Sequence, residues 1–399
     1  MEKLIYMDNA ATTSTAPEVV SAMLPFFTEY YGNPSSVYNF AQKSKMAIED
    51  AREIIADSIG AAKSNEIYFT GGGSESDNWA LKSAAFGLRD KGNHIITTKI
   101  EHHAILNTCA YLEKNGFEVT YLDVDSEGFV SLEDVENAIT EKTILISVMF
   151  ANNEIGTIEP VCEIGEIAHK HGILFHTDAV QAMCHVPINV TEMNIDLLSA
   201  SAHKFHGPKG IGFMYMKNSA KLEPFIHGGA QERARRAGTS NVPGIVGMGQ
   251  AVKLALSTLD KDTHTIINMR NYIVDRILGE IPDVTFDGPC IDANADVNAV
   301  SVGLPMCSLK RLPSNMHFCF KDVSGDSLLI MLDMNGICAS SGSACAAGSI
   351  DPSHVLLAIG RSKGETKGAL RLSIDKNLTK EDADYAIDAL KAAVARLRG

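Results

Sequence analysis

The sequence is poor in the features that would place it in a membrane, on nucleic acid or in an oxidising compartment. No apolar run approaches the about 18 residues of a membrane span, and the longest reaches only from Ile144 to Ala151. The opening stretch from Met1 to Asp8 lacks the apolar core and cleavage site of a signal peptide, so a cytoplasmic protein is expected. Basic residues are outnumbered: 35 Lys and Arg face 49 Asp and Glu, a net charge of -14. That balance argues against a nucleic-acid partner, whose affinity rests on neutralising phosphates. The eight cysteines form no CxxC pair and read as reduced thiols rather than as disulfides or metal ligands. Neither common nucleotide fingerprint is present, and there is no internal repeat, low-complexity tract or flexible linker.

What is present describes a globular α/β protein. Hydrophobic residues make up 45% and charged residues 21% of 399, more than one core accommodates. Between about residues 65 and 216, short apolar strands alternate with amphipathic helices. Strands are expected at 66–70, 94–98, 118–122, 143–150, 173–177, 197–201 and 212–216. Helices are expected at 74–88, 103–115, 132–139 and 161–171. The rhythm predicts a mostly parallel seven-stranded sheet covered on both faces. A long helix over 247–278 then leads into a mixture of strands (316–320, 368–374) and helices (327–334, 380–397). The expected division is a large α/β domain, 15–255, and a smaller α+β domain built from 1–14 and 256–399.

Ligands of open α/β sheets gather beyond the carboxyl ends of the strands, and the polar residues at those ends form a pattern. After the first strand comes Gly71-Gly-Gly-Ser-Glu-Ser-Asp77, where the glycines admit a ligand and a helix N-terminus offers N–H groups to phosphate. Ser74 is expected to cap that helix, with Asp77 completing a capping box. After the second strand, His102 could stack on a flat ligand, move a proton or simply cap a helix. The adjacent pair His102-His103 is a poor metal site, because neighbouring residues seldom point the same way. Asp178 follows an apolar strand, so it has a cationic or hydrogen-bonding partner or faces solvent, and a pyridinium nitrogen is one partner it would suit. Lys204 sits in a run of small residues before Gly207-Pro208, placed to meet a carbonyl. A phosphate cradle, a stacking His, a ring-nitrogen Asp and an aldimine-forming Lys are the parts of a pyridoxal phosphate site.

Two further features lie outside that pattern. The stretch Ser340-Ser-Gly-Ser-Ala-Cys-Ala-Ala-Gly-Ser349 has too little bulk to pack a core, so Cys345 reads as a reactive thiol. Arg371 interrupts the apolar strand Ala369-Leu-Arg-Leu-Ser373 and suits either a substrate carboxylate or a structural salt bridge.

From Tyr6-Met-Asp-Asn-Ala-Ala-Thr-Thr13 to the strand around Arg371 the chain resembles the cysteine desulfurases of the NifS/IscS class, among the fold-type I pyridoxal phosphate enzymes. The carrying motifs include Asn152-Asn-Glu-Ile-Gly156, Asp178-Ala-Val-Gln181, His227-Gly-Gly-Ala-Gln-Glu-Arg233 and, most specifically, Ser340 to Cys345. The resemblance implies that Lys204 forms the internal aldimine and shuttles the α-proton. It implies that Asp178 pairs with the pyridine nitrogen, His102 stacks on the ring and takes part in catalysis, and Gln181 bonds the ring oxygen. Gly73, Ser74, Ser201 and His203 would hold the phosphate, joined by Thr239 from the other subunit of a homodimer with shared sites. Asn153 and Arg371 would orient the substrate carboxylate. L-Cysteine would yield alanine and a persulfide on Cys345, destined for a sulfur-acceptor protein, either an iron–sulfur scaffold or a thiolation enzyme. An aminotransferase would have no use for Cys345. The chain departs from the class in a longer segment between Cys290 and Lys310, in Ala346-Ala347, in Asp375-Lys376 and in the little sequence beyond Arg396.

Overall fold

The structure, a computed structural model, describes residues 4–220, 222–291, 309–341 and 352–399. Cys345, most of its small-residue loop and most of the 290–310 segment lie outside them. The N-terminal strand β1 (Ile5–Tyr6) belongs to the smaller part of the molecule. Next come β2 (Ile67–Thr70), β3 (His94–Thr98), β4 (Glu118–Leu122), β5 (Thr143–Ser147), β6 (Leu174–Asp178), β7 (Leu197–Ser201) and β8 (Gly212–Met216). These seven strands form one sheet in the order β2-β8-β7-β6-β5-β3-β4. Only β8 runs against its neighbours. The carboxyl ends of the other six therefore share one edge.

Every residue of β2, β3, β5, β7 and β8 is buried, as a sheet covered on both faces requires. Alternate side chains feed two cores: Phe69, Ile96, Ile146, Leu198 and Phe213 on one face, Tyr68, Ile95, Leu145, Leu197 and Met214 on the other. The strand expected over 143–150 stops at Ser147. Beyond it the Met149 N–H turns to Glu101 Oε1 (2.8 Å), while Val148 and Phe150 still donate to the β6 backbone.

The smaller part holds β9 (Val284–Asp287), β10 (Asn315–Phe320) and β12 (Ala369–Ser373) in the antiparallel order β12-β10-β9. Nearby β11 (Ile337–Cys338) pairs in parallel with β1. A single helix, Val242–Glu280, serves both parts. Its first half (Val242, Ile245, Met248, Val252) packs on the large sheet, and its second half (Ile273, Val274, Ile277) packs on Met316, Phe318 and Leu370. By length and composition that helix could cross a membrane, but these apolar residues are the ones that fill the two cores. Residues 8–13 run back to the large sheet, where the Thr13 N–H meets the His203 carbonyl at 2.9 Å. The chain therefore passes beside both sheets at the site described next.

Candidate active site

At the end of β2 the chain turns through Gly72 at φ 150°, a conformation that excludes a side chain. Its neighbour on β8 must be glycine for reasons of space: a Cβ on Gly212 would lie 2.8 Å from the Gly72 Cα. The following helix, Gly73–Gly87, has Gly72 as its N-cap and no side-chain cap. This corrects the expected capping box. The Ser74 carbonyl instead accepts from Asn78, and Asp77 turns inward to Ser199. With no side chain taking them, the first N–H groups of this helix are left to an anion.

A cavity of about 400 Å³ opens over this edge. Gly73, Ser74, His102, Asn153, Asp178, Gln181, Ser201, His203, Lys204 and Arg371 all line it. Lys204 Nζ donates to the carbonyls of Ala10 (2.6 Å) and Ala11 (2.8 Å), and Gln181 Nε2 also donates to Ala10 (2.9 Å). The N-terminal segment thus fixes both side chains. Asp178 closes β6 and accepts the Val180 N–H at 2.9 Å. Burial raises its carboxyl above the ordinary range, opposed by that N–H and by Lys204.

His102 lines the cavity and its Nδ1 accepts the Ala104 N–H at 3.1 Å, capping the helix His103–Glu113. Burial, with Lys204, His103 and His354 nearby, lowers its pKa to about 4, so the ring is neutral with its hydrogen on Nε2. His203, paired through Nδ1 with Thr12 Oγ1 (3.1 Å), is likewise lowered to about 4 by burial and by Lys204 and Lys209.

The rim comes from the smaller part. Arg371 on β12 is 1% exposed, binds Asp8 Oδ1 through Nη2 (2.9 Å) and donates from Nη1 to the Asn153 carbonyl (3.0 Å). Both readings of this residue therefore have a geometric basis: it is ion-paired, and it faces the cavity. Sequence reasoning gave no place in the site to four polar lining residues, Asp77, His103, Glu154 and His354. Asp77 was misread as a cap. Glu154 binds Ser353 (2.6 Å), His354 contacts the Glu101 carbonyl (2.9 Å), and the His103 and His354 rings lie 4.8 Å apart. The signal for Glu154 was its place in the Asn152-Asn-Glu motif; His354 gave none. Thr239 is exposed and does not line the cavity, and Cys345 is outside the described residues.

This donor set fits pyridoxal phosphate. An uncapped helix start with Ser201 and His203 suits the phosphate, and an acid with no basic partner but Lys204 suits the ring nitrogen. The backbone comes so close that a Cβ on Gly73 would lie 2.6 Å from Val180 Cγ2. The aminotransferase class-V family model matches residues 5–386. The chain belongs to that family, whose members are pyridoxal phosphate enzymes. Within it the chain belongs to the cysteine desulfurases. It is 54% identical to the cysteine desulfurase IscS of Clostridium botulinum (strain Hall), over all of this chain and 96% of the relative. Two solved structures agree: a NifS-like protein (TM-score 0.89, 35% identity, 99% of this chain and all of that one) and SspA in complex with cysteine (0.77, 38%, 94% and all).

Proposed function

We propose that this enzyme takes sulfur from L-cysteine through the cavity residues named above and stores it on Cys345. The observation that carries this reading is the convergence of Lys204, Asp178 and the uncapped helix start on one cavity that Arg371 also lines. Bound pyridoxal phosphate supplies an electron sink for the pair released at the substrate α-carbon. Asp178 would hold the ring nitrogen, His102 would stack on the ring, and Gln181 would bond the ring oxygen. Gly73, Ser74, Ser201 and His203 would hold the phosphate. Arg371 and Asn153 fix the substrate carboxylate, a bidentate task for which guanidinium is suited. Lys204 Nζ takes the α-proton and returns it.

The Cys345 thiolate attacks the substrate sulfur. The carbon–sulfur electron pair goes to carbon with a proton, leaving alanine and a Cys345 persulfide. Residues 1–14 and 256–399 act as the smaller domain that carries this loop. The persulfide passes to an acceptor protein, an iron–sulfur scaffold or a thiolation enzyme. A second copy of the chain is the partner that would cover the exposed apolar side chains Leu24, Phe27, Tyr31, Val37 and Met46, which are 58–94% exposed. That copy would bring its own Thr239 to the phosphate. Cys109, Cys184, Cys290, Cys319 and Cys338 are free thiols, which suits a reducing cytoplasm.

The test uses purified enzyme, L-cysteine and no added thiol reductant. The wild type should release alanine and gain one sulfur on Cys345 by mass spectrometry, and Cys345→Ala should release almost none. Full alanine production by Cys345→Ala would overturn the persulfide route.

A further inference from the structure

Beneath the cavity floor a buried polar chain runs from Asp77 to Ser147, and the proposed reaction uses none of it. Ser199 on β7 faces the Asp77 carboxyl, and its Oγ lies 3.1 Å from His176 Nε2. His176 Nδ1 in turn lies 2.9 Å from Ser147 Oγ on β5. Asp77 and His176 are 1% and 0% exposed, and Asp77 lines the same cavity as Asp178.

We propose that Asp77 is a carboxylic acid in the working enzyme, a positioning residue whose proton is donated into the Ser199–His176–Ser147 chain, leaving Asp178 as the one anion on the floor. The inference rests on the reading of Asp178 as partner of the cofactor ring nitrogen. Two carboxylates in one dry site repel, and a shared site keeps one of them protonated. The groups facing Asp77 are Asp178 and His176 on β6, Ser199 on β7 and Glu101 beyond β3. None of them is a lysine or arginine. Asp77 Oδ1 has no hydrogen-bond partner in the structure and lies 3.8 Å from His176 Nε2. A carboxylate facing a protonated imidazole would close to about 2.8 Å. Burial and Asp178 raise Asp77 well above the ordinary carboxylate range against an opposing pull from Ser199, Glu101 adds to the rise, and burial lowers His176 to about 3.

Two directions of hydrogen bonding through Ser199 differ in an observable. If Asp77 is an acid, it donates to Ser199, Ser199 donates to Nε2, and the His176 hydrogen sits on Nδ1 facing Ser147. If Asp77 is ionised, every donor reverses and the hydrogen sits on Nε2.

Nitrogen-15 NMR of histidine-labelled enzyme, with His176 assigned by the signal lost in His176→Gln, decides between them. The wild type should show the Nδ1–H tautomer near neutral pH, and Ser199→Ala should convert it to a mixture. Infrared spectra should show one carboxylic-acid band lost in Asp77→Asn and none lost in Asp178→Asn. An Nε2–H tautomer for His176 in the wild type would overturn the proposal. So would an acid band lost with Asp178 in place of Asp77. Asp178→Asn that keeps full cofactor affinity would instead sink the cofactor-site reading, leaving the tautomer result standing.

Discussion

Among the described residues a fully buried histidine lies beside a fully buried aspartate in two places, with opposite outcomes. Under the site, His176 and Asp77 face no lysine or arginine, and the acid is raised. In the smaller part, Asp287 on β9 is equally buried. There Oδ2 meets His317 Nδ1 at 2.8 Å and Oδ1 meets Arg361 Nε at 2.7 Å. Burial alone would raise Asp287, but His317 and Arg361 outweigh it and hold the carboxyl below its ordinary range. Asp287, His317 and Cys319 are close enough to hold a metal ion. However, both carboxylate oxygens are already bonded, and burial pushes the Cys319 thiol upward, away from the thiolate that a metal needs. A buried acid closed by a cation is a structural joint. One left open to a cavity is available to a ligand.

The largest effect that separates the two regions is expected at Lys204. Lys204→Ala should remove the visible band of the bound cofactor and lower desulfurase turnover by at least about 10²–10⁴-fold, with thermal stability little changed. Retention of the band would break the assignment. Asp287→Asn should do the reverse. It leaves Arg361 facing a buried neutral group and should cost about 3 kcal/mol in urea unfolding, while the folded fraction keeps the band. Loss of the band with unchanged stability would show that the joint belongs to the site. A smaller effect is expected at Arg371→Lys. The single ammonium cannot reproduce the fork that holds Asp8 and the Asn153 carbonyl, so KM for L-cysteine should rise about tenfold with a lesser change in kcat.

The open region was far more legible in the sequence than the closed one. Seven strands of the large sheet could be read to within a residue or so at most ends, because each is a short apolar run bounded by turn residues. The residues following those strands then mark the site by position alone. Ser74 misled because its neighbour Gly72 takes the cap through backbone geometry, which composition does not display. Glu154 with Ser353, and His354 with Glu101, meet across about 200 residues or more of chain. Only the packing of the smaller part against the large sheet brings them together. Arg371 was readable as unusual, yet its partner Asp8, 363 residues away, was not.

The smallest effect lies in acid stability, where the two regions should separate by pH. His102 has an ordinary value of 6.5 and is lowered to about 4. Between those values the unfolded chain binds a proton that the native ring refuses, so native stability falls as pH drops from 6.5 towards 4. Asp287 behaves differently. Its value is lowered from 3.8, so its contribution is complete above that pH and is lost only as pH falls further. His102→Gln should therefore flatten the stability profile between pH 6.5 and 4, by on the order of 1 kcal/mol once partial exposure is allowed for. Asp287→Asn should leave the slope of that window intact and remove the steeper loss below about pH 3.8. Urea midpoints measured across the range would show it, and a His102→Gln profile parallel to the wild type would mean that the ring is already charged in the native site.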